Sequence, residues 1–145
     1  MTDWKITNSL ITRTNRSAVW NFMADMSNQV RMESAVKAIE LDGPFESGTR
    51  GRTIMEAYTQ EWILEDVVLE RQFTIVGQTE GQDFSLSFCW QMEDEDAGTR
   101  LTQIISAKGA DLENFREILS GMEDHVPKRL AQLVEELDQI NSLKP

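Results

Sequence analysis

Arg50, Arg52, Ile54, Glu56 and Tyr58 alternate along one stretch, and in an extended chain alternation puts them on one face. An arginine, a carboxylate and the only tyrosine brought together inside a protein could hold and enolise a carbonyl compound. The guanidinium would steady the developing oxyanion while the carboxylate moves the proton. In the opposite phase Thr53, Met55 and Ala57 face inward and the charges are solvated. Simple hydrophobicity favours that second phase, but both faces mix polar and apolar types, so the pattern leaves the orientation open.

Other reactive side chains are few. His125 is the only histidine and Cys89 the only cysteine. A zinc site of standard composition cannot be assembled from them, and no metal or other cofactor is expected. His125 beside Met122 and Val126 could carry a proton into an interior, or it could sit on a helix flank. Cys89 has no base or helix N-terminus near it in sequence to activate a thiolate. The run Glu93-Asp94-Glu95-Asp96 lacks the spacing of an EF-hand loop and reads as a solvated hairpin tip.

Composition narrows the classes further. Net charge is −11, which disfavours nucleic acid and anionic membrane surfaces as partners. A 145-residue chain with 40% hydrophobic and 27% charged residues suits one globular domain spanning 1–145. No apolar run approaches the ~20 residues of a membrane span. The opening Met1-Thr2-Asp3-Trp4-Lys5 lacks the basic and apolar regions of a signal peptide, and a lone cysteine forms no internal disulfide, so a cytoplasmic protein is expected.

The elements that would position a site are legible from periodicity. Leu112, Phe115, Leu119, Met122, Val126, Leu130, Leu133, Leu137 and Ile140 recur at steps of three or four, one apolar face of a helix of about 30 residues, roughly 45 Å long. Pro127 and Gly121 interrupt it, but the apolar phase persists across both, which predicts one kinked helix. The alternative is two helices, the second starting near Pro127. Upstream, residues 4–12 read as a strand. A helix capped by Thr14 or Asn15 runs to about Asp25, and a shorter one spans Ser27 to Glu33. A strand follows at Val36, Ile39 and Leu41, then the turn-rich segment Asp42 to Gly48. Strands are predicted at 49–58, 60–69, 71–77, 84–92 and 99–107. In 84–92, Phe84, Leu86, Phe88, Trp90 and Met92 alternate with smaller, more polar residues, so one face packs and the other approaches water.

Short connections between these strands predict an α+β fold: a curved antiparallel sheet of about seven strands gripping one long C-terminal helix, with two short helices after strand 1. Local residues agree. Val19-Trp20 followed by Asp25, Gly43-Pro44-Phe45-Glu46-Ser47-Gly48-Thr49, Trp62, Arg71-Gln72-Phe73 and Gly98-Thr99-Arg100-Leu101-Thr102 resemble, in order, the SRPBCC superfamily and especially its polyketide cyclase/dehydrase branch. This helix-grip superfamily includes START lipid-transfer domains and the birch pollen allergen group. The chain departs from it at Gln29 and Met32, where relatives often carry tryptophan, and at Ser34, where they often carry proline.

The resemblance implies binding of a hydrophobic or amphipathic small molecule, such as a lipid or polyketide-like compound, between sheet and helix. The strand face and helix stripe supply candidate lining residues: Met32, Phe45, Met55, Trp62, Phe73, Phe84, Phe88, Trp90, Phe115, Leu119 and Met122. Leu64 and Ile75 share the strand face. Two alternatives accompany this reading. One is a cyclase or dehydratase using Arg52, Glu56 and Tyr58. The other is a protein-interaction module of the co-chaperone kind, which would expose Trp20 or Trp4. Either a monomer or a homodimer fits, because an antiparallel sheet edge can pair with another chain.

Overall fold

Alternating side chains and short turns bring seven strands into one antiparallel sheet. The computed structural model describes residues 3–142. The strands are β1 (Asp3–Thr12), β2 (Val36–Leu41), β3 (Arg50–Met55), β4 (Thr59–Val68), β5 (Gln72–Gln78), β6 (Ser85–Glu95) and β7 (Gly98–Lys108). They lie in the order β1-β7-β6-β5-β4-β3-β2, so every neighbour from β2 to β7 is also the next strand in sequence and β1 closes onto β7. Two helices, α1 (Arg16–Ala24) and α2 (Met26–Met32), link β1 to β2. The Asn15 side chain caps α1 by accepting from the Ala18 amide, and Asp25 caps α2 by accepting from the Ser27 amide.

The C-terminal helix α3 (Arg116–Ser142) is one α-helix of 27 residues with Pro127 inside it, preceded by a 3-10 turn at Leu112–Phe115. The apolar stripe therefore marks a single continuous helix. Its start is tighter than expected, because the first turn of the stripe closes as a 3-10 helix. The acidic run is also corrected. It was expected to be a turn, but β6 continues through Glu95 and only Asp96 and Ala97 form the tip. Asp94 receives Arg16 Nη1 at 3.2 Å and Glu95 receives Arg100 Nε at 2.7 Å, so opposed cations let these carboxylates stand in a strand.

The register identifies the face that meets the helices. Trp62 of β4 lies opposite Gly77, Phe73 opposite Trp90, Phe88 opposite Ile105, and Met92 opposite Leu101. Two hydrophobic clusters form on this concave side. The larger joins Trp62, Leu64, Phe73, Met92 and Leu101 of the sheet to Val19 and Trp20 of α1 and to Leu130, Leu133 and Leu137 of α3. The smaller joins Phe84, Ala107, Leu112 and Leu119, with Trp4, Phe115 and Met122 against it. Ion pairs strap α2 across α3: Arg31 to Glu136 at 2.5 Å, and Arg129 to Glu33.

Candidate functional site between the sheet and the C-terminal helix

The orientation left open by the sequence is settled at Gly51 and Thr53. Both belong to the concave phase of β3, because Gly51 lies opposite buried Trp62 and Thr53 Oγ1 accepts from Trp62 Nε1 at 2.9 Å. Arg52 therefore projects from the other side of the sheet, where it bonds Glu40 at 3.0 Å and Asp42 at 2.8 Å. These two carboxylates hold its guanidinium above its ordinary pKa, the bond to Asp42 first. Glu56 is exposed and Tyr58 is 58% exposed. The three side chains do not converge on the interior, so the carbonyl-enolising arrangement is not formed. His125 is exposed on α3. Cys89 lies on the convex phase of β6, opposite Ile104, and no cluster of metal-ligating side chains occurs among the described residues.

The side chains expected to line a cavity divide into two groups. Trp62, Phe73, Phe84 and Leu119 are buried in the two clusters. Phe45 comes down from the β2–β3 loop and packs edge-on against Trp20 and Phe73, with centroids 5.7 and 5.0 Å away. Phe115 stacks on Phe84 with centroids 3.9 Å apart. These six are packing residues in this structure. Met32, Met55, Phe88, Trp90 and Met122 are only partly buried.

That second group is informative because of where it sits. On β7 the concave residues Thr99, Leu101, Gln103, Ile105 and Ala107 are all buried, and their convex neighbours are not. On β6, the next strand, concave Leu86, Phe88 and Trp90 are only partly buried, as are convex Ser85, Ser87 and Cys89. A central strand keeps no exposed backbone edge, so this accessibility is on the helix side. Ile75 of β5 and Thr53 and Met55 of β3 share it. The two hydrophobic clusters have no residue in common, and Phe88 belongs to neither. Trp90 and Ile75 edge the larger cluster and Leu86 the smaller, so the break in packing lies at the level of Phe88. Sequence patterning finds the apolar face but not this break, because it cannot see where the helix stops covering the sheet.

Two other concavities, of about 460 and 380 Å³, lie outside this space. The larger runs between α1 and the end of α3, and small polar side chains (Thr14, Asn15, Ser17, Asn21) form much of its wall. Ala18, Phe22, Leu137 and Ile140 supply the rest of that wall, a mixed groove, whereas the concave side chains of β6 from Leu86 to Met92 are all apolar and suit a hydrophobic guest better. Trp20 is 6% exposed, and Trp4 packs against the Phe84 cluster, so neither offers the exposed tryptophan of an interaction module.

No protein-family model matches the chain, and no curated protein is similar to it in sequence. Solved structures match it in fold. Protein MLL2253 from Mesorhizobium loti has a TM-score of 0.75 at 13% identity, over 94% of this chain and 98% of that one. Ara h 8.0201 has a TM-score of 0.63 at 11% identity, over 92% and 99%. The di-domain ARO/CYC StfQ from the steffimycin biosynthetic pathway has a TM-score of 0.73 at 7% identity, over 97% of this chain and 52% of that one, so this chain corresponds to about half of it. Together with the sheet order and the terminal helix, these likenesses establish the helix-grip fold. Among the described residues no helix is long and apolar enough to cross a membrane.

Proposed function

We propose that this protein binds a hydrophobic or amphipathic small molecule in the space between the concave faces of β3–β6 and the N-terminal half of α3. The observation that carries the reading is the contrast between adjacent strands. The concave β7 row is buried, while Leu86, Phe88 and Trp90 of β6 remain partly accessible on the same side. Three large apolar side chains left only partly buried in the middle of a sheet forgo up to a few kcal/mol of burial, at ~25 cal/mol per Å² of apolar surface. A guest of matching character recovers that energy. Met32 packs at the edge of the larger cluster, Met122 at the edge of the smaller and Met55 is partly accessible on β3, and flexible thioethers adapt to guests of different outline.

A lipid or a polyketide-like compound suits such a site. StfQ, an ARO/CYC of a biosynthetic pathway, has this fold, which is in keeping with the second class. No residue of the site is assigned a catalytic role. The test is solvent extraction of freshly purified protein followed by mass spectrometry against a mock purification. A lipophilic compound at about one per chain is expected. If the extract is empty and calorimetry detects no binding of long-chain hydrocarbons or lipids, the reading is wrong.

A further inference from the structure

The floor of this site is not wholly apolar. Gln103 lies on the concave phase of β7, directly opposite Trp90 of β6 on one side and Asn8 of β1 on the other. It is 9% exposed, a buried amide in the middle of the sheet. Among the described residues, neither the Gln103 side chain nor the Trp90 indole N–H has a hydrogen-bond partner. The Trp62 indole, by contrast, donates to Thr53. Neither Gln103 nor Trp90 is sealed in protein, since Arg16 Nε is the one fully enclosed side-chain polar atom left unpaired among those residues. Both therefore open onto the space where packing is interrupted. A buried amide without a partner costs about 1–3 kcal/mol, which a natural core avoids unless something else supplies the bond.

The charge around this pair is equally specific. The rows that flank it (Ile6, Ile105, Phe88 and Ile75 on one side, Leu10, Leu101 and Met92 on the other) carry no ionisable group. Two ionisable pairs lie at the edges of the concave side, Asp94 with Arg16 and Glu33 with Arg129. A carboxylate or phosphate inserted here would find no counter-ion, and an unpaired buried charge is strongly disfavoured. The tryptophan N–H can only donate and the glutamine amide can donate as well, so together they suit an acceptor oxygen.

We propose that Trp90 and Gln103 are the polar anchor of the site, and that its ligand is an uncharged, mainly apolar molecule bearing a carbonyl oxygen that both residues hold. This inference rests on the binding reading above and narrows it to neutral carbonyl compounds rather than fatty acids or phospholipid headgroups.

The test uses three probes of similar chain length (methyl decyl ketone, dodecanoate and dodecane) titrated calorimetrically into the full chain and its Gln103→Leu and Trp90→Phe variants. At a pH well above the carboxylic acid range, the ketone is expected to bind about tenfold tighter than dodecanoate. Each variant should weaken the ketone about fivefold, the loss of one net hydrogen bond, while leaving dodecane unchanged. The unliganded Gln103→Leu protein should melt no lower than the parent, because the amide bonds nothing in the fold; a structural role would lower it. If dodecanoate binds more tightly, or if the ketone-to-dodecane ratio is the same in all three proteins, the anchor is refuted while the hydrophobic site stands. If none of the probes binds, the site itself is refuted and the anchor with it.

Discussion

Substituting Gly51 by alanine gives the sharpest test of the packing described above. An added Cβ at Gly51 would stand 2.4 Å from Cη2, 2.6 Å from Cζ3 and 2.7 Å from Cζ2 of Trp62. Those are atoms of a rigid ring, so the indole must swing away as a whole. It has little room, since Trp62 is 6% exposed and belongs to the larger cluster with Leu64 and Phe73. Swinging also draws Nε1 away from Thr53 Oγ1. Overpacking a core costs about 1–3 kcal/mol and the lost hydrogen bond about 1 kcal/mol. Against this, alanine stabilises by about 0.4–1 kcal/mol through the less free unfolded chain. The net loss is about 1–3.5 kcal/mol, which for a chain of this size lowers Tm by roughly 3–12 °C. Thermal melts followed by circular dichroism read it directly. The same substitution in a Trp62→Leu background should cost less than about 1 kcal/mol, because the ring is gone. A Gly51→Ala protein that melts at or above the parent temperature refutes this account of β3. The inward orientation of its Thr53 phase would then need another basis.

Other consequences are open to similar measurement. Gly98 has φ +149°, and a Cβ there would lie 2.2 Å from the Thr12 carbonyl oxygen, a backbone atom that cannot yield. Gly98→Ala should therefore lower the urea midpoint more than Gly51→Ala does; an equal or smaller shift would contradict the reading. Replacing Arg52 by methionine removes exposed ion pairs to Glu40 and Asp42 on the face away from the helix. The stability change should be small, should shrink further in high salt, and should leave the extracted compound unaltered. Bonds from the Ser27 hydroxyl and amide hold the Asp25 carboxyl below its ordinary value of 3.8. A lowered carboxylate contributes above its unfolded pKa and loses that contribution as pH falls through the folded value. The cap on α2 should thus persist to below pH 3.8. An NMR titration of the Ser27 amide checks this, and a midpoint at or above that value would refute it.

The elements were legible because each announces itself locally. The period of two in Phe84–Met92, the stripe from Leu112 to Ile140 and the cap at Asn15 reappear in the structure with small changes at their ends. The phase of β3 was not legible from its own residues. It depends on Gly51, whose missing side chain makes room for a tryptophan eleven positions away on the next strand. The acidic run misled for a similar reason. Four consecutive carboxylates read as a solvated tip, but Arg16, far away in sequence on α1, meets Asp94, and Arg100 of the returning strand meets Glu95. At the site, sequence marked Phe88, Trp90 and Met122 but could not separate them from Trp62, Phe73 and Phe84, which have the same pattern and lie in closed core. Gln103 gave no signal at all, because one amide in an alternating strand looks like any polar position until its neighbours are known.

The location of the open region follows from the size of the parts. Seven strands spaced ~4.8 Å apart span about 29 Å, even before the sheet curves. A helix with its side chains is only about 10–12 Å across, enough for two or three strands. In this chain α3 packs along β1, and the concave β7 row is buried, with Gln103 at 9% exposed. One end of the remaining width is covered by α1 and by Phe45, which packs against Trp20 and Phe73. Leu112 and Phe115 close the other end over Phe84. Between these covers Phe88 and Met55 belong to neither cluster and Trp90 and Ile75 edge the larger one, so this strip is only partly covered. A chain selected only for stability would fill that strip by placing larger side chains on α2 or by drawing the loop at Asp42–Gly48 further inward. Here α2 is instead tied to α3 by Arg31–Glu136 and Arg129–Glu33, with Met32 facing the strip. Releasing these pairs with Arg31→Met and Arg129→Met is expected to let α2 settle closer to the sheet and bury Phe88 and Trp90 more fully, read as a blue shift of tryptophan emission with little change in Tm, and an unchanged spectrum would refute it.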